Sequence, residues 1–350
     1  MNKRRFALIG ATRPNFVKLA PLVRAAQAAG LDICIINAAQ HFDAAMSTDF
    51  LQEFGVSVDI TLSPVHQPVV AQLADIMRQL EEVLVREHIT DVVVMGDVNA
   101  TLAAGITALK LKLRLTHVEA GLRSRNYEMP EEMNRILVDQ AADLLLTPSS
   151  DASENLRTEK VRGTIHEVGN IMIDNVLHYA AAIPPMDEQF YFCTLHRGET
   201  VDYKDRLEVI LSAVAEIRRR SGLTIYLPLH PRTAKKVEEF GLRSKLESIF
   251  TLLPPLTYQQ SLQYQKNAQL ILTDSGGVQE EAVVLGVPCL TLRTETERPI
   301  TVTMGTNTIG GVTWESIITA YEGLTFDRTP AQIPLWDGHT AERIVQILQQ

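Results

Sequence analysis

Short apolar runs alternate with longer amphipathic segments from one end of this 350-residue chain to the other. That alternation is the pattern of parallel strands joined by crossover helices, because a strand covered on both faces shows no polar side while the helix beside it must. In the first half, strands are predicted at Phe6–Ile9, Ile33–Asn37, Asp91–Met95, Leu115–Val118 and Leu144–Thr147, with a short one ending at Val168. Between them, helices are expected over Pro14–Ala28, Val69–Arg86, Ala100–Lys110 and Glu131–Ala142. A second series runs through strands Phe190–Thr194, Thr224–Pro228, Ile249–Leu252, Leu270–Leu272 and Cys289–Leu292, with helices beginning near Asp205, Thr233, Tyr258 and Val278. The expected fold class is α/β, with two Rossmann-like doubly wound domains. A chain of this length exceeds the usual ceiling of one core, which also asks for two. The predicted division is 1–182 and 183–350, within Ala180–Glu188, where small residues, prolines and charge coincide. The last helix of the second part is allowed for as one that packs back on the first.

The net charge of −9 argues against a nucleic-acid binder, since neutralising a phosphate backbone needs a surplus of Lys and Arg. Any phosphate must therefore meet a local positive site. The three cysteines, Cys34, Cys193 and Cys289, lie far apart in apolar stretches and read as buried thiols of a reducing compartment, so a cytoplasmic location is expected. The basic start of the chain is followed by an apolar run, Phe6 to Ala11, too short for a signal peptide before Arg13 and Lys18 interrupt it. No run approaches the ~20 apolar residues of a membrane helix, and no membrane partner is expected.

Ligands of open α/β sheets bind outside the carboxyl ends of the strands, so two such domains facing each other would place those loops around one cleft. After the first strand comes Gly10-Ala11-Thr12-Arg13-Pro14-Asn15-Phe16-Val17-Lys18. Its small residues let a ligand approach the backbone, the following helix offers unpaired N–H groups, and Arg13 and Lys18 add charge. No GxGxxG and no GxxxxGK[ST] is present, which removes the nicotinamide and ATP fingerprints. Asp97 follows one later strand and Glu119 the next, while Glu131 and Glu132 follow Pro130 in the first turn of a helix, just before Asn134 and Arg135. Carboxylates brought to one cleft mouth suit proton transfer, because repulsion and partial burial set their proton affinities apart.

His196 and Arg197 stand directly after the first strand of the second series, and His230 occupies the matching place after the next. Histidine is the usual acid or electrostatic partner near neutral pH. The clearest phosphate site is Thr273-Asp274-Ser275-Gly276-Gly277-Val278-Gln279-Glu280-Glu281. Two glycines bare the amides, Ser275 adds a hydroxyl, and the helix dipole favours a pyrophosphate. Glu281, one turn in, can accept from two neighbouring ribose hydroxyls. Arg298 puts another cation near the same edge. The remaining histidines, His117 among them, are scattered with no HExxH motif or Cys/His cluster, so no metal is expected; nor is there a GxSxG elbow.

Taken together, these strings resemble the non-hydrolysing UDP-N-acetylglucosamine 2-epimerases, essentially end to end. The resemblance is carried by Gly10–Lys18, Gln40-His41-Phe42-Asp43, Gly96-Asp97, His117-Val118-Glu119-Ala120-Gly121-Leu122-Arg123, Pro130–Arg135, Gly169-Asn170, Leu195-His196-Arg197, His230-Pro231, Thr273–Glu281 and Thr296–Pro299. It implies the GT-B-type fold, two Rossmann-like domains facing a central cleft. By it Asp97, Glu119, Glu131 and His196 match the catalytic groups. Arg13, Lys18, Arg135, Ser275, Gly276, Gly277, Glu281 and Arg298 match residues around the nucleotide and sugar, and Arg197 and His230 join the substrate-binding set. The implied reaction needs no cofactor. It loses UDP across C1–C2 to give a 2-acetamidoglucal and re-adds it with C2 inverted, interconverting UDP-N-acetylglucosamine and UDP-N-acetylmannosamine. A homodimer is implied as well. Asn15, Asn99 and Gly198 depart from common family versions and remove none of the proposed catalytic groups. Phe42-Asp43 stands where members activated by a second substrate molecule carry an Arg-containing version, so weak or absent activation of that kind is expected.

Three other readings stay open at this point. Relatives acting on UDP-2,3-diacetamido uronic acids share similar strings, and their substrate carboxylate would need a cation such as Arg123, Arg125 or Arg232. A glycosyltransferase or a non-catalytic sugar-nucleotide-binding protein could use the same fold. Which carboxylate serves which face of C2 is not legible.

Overall fold

The computed structural model describes residues 4–38, 53–65 and 68–350, Arg13 by its backbone alone. The chain divides into two compact units, Met1–Asn175 together with Pro334–Gln350, and Val176–Ile333. The first unit alternates β1 (Phe6–Gly10), α1 (Arg13–Ala28), β2 (Ile33–Asn37), β3 (Ile60–Thr61), α2 (Val69–Arg86), β4 (Asp91–Met95), α3 (Asn99–Leu111) and β5 (Arg114–Val118). It continues with α4 (Pro130–Ala141), β6 (Leu144–Thr147), α5 (Ser150–Glu159), β7 (Thr164–Glu167) and the start of α6 (Ile171–Ala180). The second unit follows with β8 (Phe190–Thr194), α7 (Gly198–Val201), α8 (Lys204–Ser221), β9 (Thr224–Pro228), α9 (Pro231–Glu239), α10 (Arg243–Ile249) and β10 (Thr251–Leu253). It ends with α11 (Tyr258–Asn267), β11 (Leu270–Thr273), α12 (Gly276–Leu285), β12 (Cys289–Thr291), α13 (Ile300–Thr303), β13 (Asn307–Ile309) and α14 (Trp314–Glu322). The final helix, α15 (Thr340–Leu348), belongs to the first unit.

Strand order is β3-β2-β1-β4-β5-β6-β7 in the first sheet and β10-β9-β8-β11-β12-β13 in the second. Every pairing is parallel, for example Phe6↔Asp91 between β1 and β4 and Thr273↔Thr194 between β11 and β8. Each sheet winds one way from its first strand and then the other way, so each has a switch point, at β1/β4 and at β8/β11. Each unit is thus a doubly wound Rossmann-like α/β fold, as the alternation predicts.

The central strands β1 and β4 are buried at every residue because helices cover both faces. Val92, Val94, Ile36, Leu80 and Leu115 fill the first core, and Val214, Ile217, Leu227, Leu272 and Leu290 the second. Each such side chain contributes about 1.5–3 kcal/mol by leaving water. Inside α1, Pro21 has no N–H to give the carbonyl of Val17. The buried amide of Asn175 donates to that carbonyl instead, and its oxygen accepts from Arg24 at 2.7 Å. The carboxylate of Asp174 accepts from the amides of Thr340 (3.1 Å) and Ala341 (2.7 Å), which caps α15.

Some elements differ from expectation. β10 begins at Thr251, not Ile249, because Ile249 and Phe250 bury their side chains at the end of α10. α12 begins at Gly276 with Ser275 as N-cap, so both glycines are inside the helix. Among the described residues no helix is long and apolar enough to cross a membrane.

Candidate active site

At the switch point of the first unit, β1 hands over to α1 through Ala11 and Thr12. Asn15 fastens this corner: its side-chain oxygen accepts from the Thr12 amide (3.3 Å) and hydroxyl (3.0 Å), and its amide donates to the Met95 carbonyl across the switch point (3.2 Å). One turn on, the ammonium of Lys18 pairs with the carboxylate of Glu119, both buried. Glu119 follows β5 with φ +68°, a left-handed conformation that costs a non-glycine residue about 1–3 kcal/mol and persists where neighbours impose it. Gly96, at the end of β4, also has φ +68°, and a Cβ there would lie 3.5 Å from both Asn15 Nδ2 and Glu119 Oε2 and 3.7 Å from Lys18 Nζ. Gly96 therefore packs against the ion pair, and Asp97 is its neighbour in the chain.

α4 supplies the rest. Asn134 donates to the Asp97 carbonyl (2.8 Å), and the buried guanidinium of Arg135 pairs with the Asp97 carboxylate (3.3 Å) and with Glu132 (3.4 Å). Glu132 also accepts the amides of Ser124 and Arg125, both at 2.9 Å. It is a loop anchor, whereas Glu131 beside it is half-buried in the first turn. The sequence pair of acids thus splits into a buried anchor and a half-buried neighbour. Further along, Asp139 accepts from Arg123 (2.8 Å) and the Gly121 amide (3.2 Å), while its other oxygen lies 2.7 Å from His117 Nδ1. Burial works against charge on Arg123, but Glu159 and Asp139 outweigh it and raise its pKa.

At the switch point of the second unit, Asp274 is fully buried after β11. One of its oxygens accepts the amides of His196 and Arg197, both at 2.9 Å, and the other lies 3.1 Å from His196 Nδ1. Burial pushes the Asp274 carboxyl up, yet His196 and the two amides outweigh it and leave it below its ordinary value. The His230 ring centroid is 5.5 Å from that of His196, and His230 caps α9 by accepting the Arg232 amide at 3.2 Å. Ser275 spends its own amide on Thr273 Oγ1 (2.9 Å) and precedes Gly276 and Gly277 at the start of α12.

The guanidinium of Arg298 lies against that helix start, where a Cβ on Gly276 would come within 2.5 Å of its NH1. Arg298 pairs with Glu280 (2.8 Å). The neighbouring Glu297 is gripped at both oxygens by Arg293 (3.0 Å each). Burial would raise the Glu297 carboxyl, but Arg293 and Arg298 hold it well below the usual carboxylate range. Glu281 is buried beside Gln265, which donates to it at 2.7 Å, and burial pushes its pKa up to about 7.

The structure therefore brings Lys18, Asp97, Glu119 and Arg135 to one switch point, with Glu131 one turn before Arg135 on α4, and Arg197, His196, His230, Ser275, Gly276, Gly277, Glu281 and Arg298 to the other. The side chain of Arg13 and the Gln40-His41-Phe42-Asp43 string lie outside the described residues. Asp274 and Asp139, whose partners are distant in the chain, and Arg293, which grips Glu297 four residues on and Glu199 far away, carry no role that the sequence shows. Among the described residues no three His, Cys, Asp or Glu side chains are arranged to hold a metal ion.

The family model described as UDP-N-acetylglucosamine 2-epimerase matches residues 24–349. The UDP-N-acetylglucosamine 2-epimerase of Methanocaldococcus jannaschii is 38% identical over 98% of both chains. A UDP-2,3-diacetamido-2,3-dideoxy-D-glucuronate 2-epimerase of Pseudomonas aeruginosa is 37% identical over 89% of both. The crystal structure of the M. jannaschii enzyme in complex with UDP-GlcNAc and UDP superposes with a TM-score of 0.91, at 38% identity and 99% coverage of both chains.

Proposed function

Because the chain belongs to the UDP-N-acetylglucosamine 2-epimerase family, and is an isomerase of that class, we propose that it interconverts UDP-N-acetylglucosamine and UDP-N-acetylmannosamine without a cofactor. The observation that carries this reading is the buried Lys18–Glu119 pair packed against Gly96, with Asp97 held beside it by Arg135. Carboxylates fixed at a switch point, with no nucleophile elbow or dinucleotide fingerprint, suit removal and return of a weakly acidic C2 proton. Asp97, Glu119 and Glu131 are the proposed acids and bases. His196, oriented by Asp274, is the proposed fourth catalytic group.

In the second unit, the amides opening α12, with Ser275 and Arg298, are proposed to bind the diphosphate and to stabilise its charge as UDP departs. Glu281 is the proposed ribose acceptor. Arg13, Lys18, Arg135, Arg197 and His230 complete the proposed substrate contacts. Removal of the C2 proton by a carboxylate and departure of UDP from C1 then give the 2-acetamidoglucal, and return of UDP to the same face of C1 with a proton delivered to the opposite face of C2 completes the inversion at C2.

The P. aeruginosa relative gives the uronate substrate a specific claim. Arg123 is buried between Asp139 and Glu159, Arg232 pairs with Asp202, and Arg125 donates to Asn155 at 2.9 Å. Of these cations Arg123 is thus held inside the fold, while Arg125 and Arg232 are exposed and stay available to a sugar carboxylate, so the decisive test offers both substrates. A homodimer in a reducing cytoplasm is the assembly and setting we propose alongside; light scattering of the purified protein tests the former.

Proton NMR with UDP-N-acetylglucosamine in heavy water tests the reaction. The manno epimer is expected, with the C2 proton replaced by deuterium. Conversion of the diacetamido uronate alone would move the substrate; no exchange with either would overturn the reading.

A further inference from the structure

We propose that His117 is a positioning residue, a buried imidazolium protonated on both ring nitrogens that clamps the Gly96–Asp97 peptide and so holds the Asp97 carboxylate in place. His117 lies near the end of β5 and is fully buried. Its Nε2 is 2.9 Å from the carbonyl oxygen of Gly96, which can only accept, so Nε2 carries a proton. Its Nδ1 is 2.7 Å from Oδ1 of Asp139. The other oxygen of Asp139 faces the Arg123 guanidinium at 2.8 Å and the Gly121 amide at 3.2 Å, the setting of an ionised carboxylate. An ionised carboxylate also only accepts, so Nδ1 carries a proton too.

The charges agree with this assignment. His117 and Arg123 supply two positive charges, and Asp139 and Glu159, which receives Arg123 at 2.6 Å, supply two negative ones. With His117, Asp139 and Arg123 buried and Glu159 at the half-exposed edge, a neutral cluster with every charge hydrogen-bonded avoids the penalty of an unpaired buried ion. The clamp matters because Gly96 has φ +68° and its carbonyl belongs to the peptide that leads into Asp97. Without the imidazolium the Gly96 carbonyl loses this bond, and the Asn134 bond holds only the next peptide, through the Asp97 carbonyl, so the Gly96–Asp97 peptide can rotate about Gly96 and carry the carboxylate away from Arg135.

The consequence for Asp97 rests on the epimerase reading; the protonation state does not. Long-range nitrogen–proton NMR of histidine-labelled wild-type protein reads that state. The His117 signals are assigned by their disappearance in His117→Asn or, should that variant not fold, by their displacement in Asp139→Asn. Two protonated nitrogens are expected, and one unprotonated ring nitrogen would overturn the proposal. In His117→Asn, kcat should fall about 100-fold, the cost of a misplacement near 1 Å, with KM and UDP affinity unchanged. An unchanged kcat would overturn the positioning role. If the wild type itself exchanges no C2 proton, the functional reading falls while the spectrum still decides the protonation of His117.

Discussion

Asp274 joins two strand ends with two oxygens, one lying 3.1 Å from the His196 ring and the other accepting the amides of His196 and Arg197. In Asp274→Asn the ring loses its anionic partner, so kcat for epimerisation should fall at least about 100-fold while the fold persists, as steady-state kinetics would show. Its pKa is depressed in the folded protein, so the stability it contributes is present above the ordinary carboxylate range and lost as pH falls through the depressed value. The stability difference between wild type and Asp274→Asn should therefore shrink on acidification. Glu281 has the opposite sign, with a pKa pushed up to about 7 by burial. Ionising it costs folded-state stability progressively from its ordinary value up to about pH 7. Glu281→Gln should then gain up to about 3 kcal/mol over wild type at pH 8 and nothing near pH 4, measured by denaturant unfolding. At this scale the sequence showed which residues carry chemistry but not their division of labour. Glu131 and Glu132 are adjacent and alike, and only the fold makes one of them an anchor for the Ser124 and Arg125 amides. His117 read as one scattered histidine because its partners, Gly96 and Asp139, are 21 and 22 residues away.

Two helices do most of the placing, α4 in the first unit and α12 in the second. α4 presents Glu131, and through Asn134, Arg135 and Asp139 it ties down the loops that carry Asp97 and Glu119. Truncating Arg135 to Ala leaves Glu132 buried without its cation. It should destabilise the protein by about 3–5 kcal/mol in denaturant unfolding, besides releasing Asp97. α12 opens on Gly276 so that Arg298 can lie against its first turn. In Gly276→Ala the new methyl pushes the Arg298 guanidinium off its buried partner Glu280, so stability should fall while the UDP dissociation constant rises about tenfold by calorimetry, the worth of one charged contact. Unchanged affinity would remove Arg298 from the diphosphate site. Long apolar-periodic elements such as β1, α2 and β4 are legible because their pattern is local. β3 has two residues, β13 has three and is followed by Gly310 and Gly311, and α5 is mostly polar, so none leaves a periodic trace. Their existence is decided by neighbours in the sheet.

On the scale of the whole molecule, both units repeat one winding order, and this was legible from the alternation alone. Harder to see was what completes the first unit. α15 is visibly amphipathic, but its docking depends on Asp174 capping its first turn, on Arg4 donating to the Leu348 carbonyl at 2.6 Å and on Trp336 donating to the Pro148 carbonyl at 2.9 Å. All three contacts span well over a hundred residues, beyond the reach of any periodicity. Trp336, Ala341, Ile344, Val345 and Leu348 are all buried there. The four larger ones contribute about 1.5–3 kcal/mol each, a sum on the order of 8 kcal/mol, comparable with the 5–15 kcal/mol by which whole domains are stable. Removing residues 334–350 should therefore unfold the first unit selectively. Hydrogen exchange is expected to show amides of β1 and β2 losing protection while those of β8 and β11 keep it, because the second unit closes its core without the segment. Equal protection in both sheets after truncation would mean that the first unit's core is self-sufficient and that α15 only covers it.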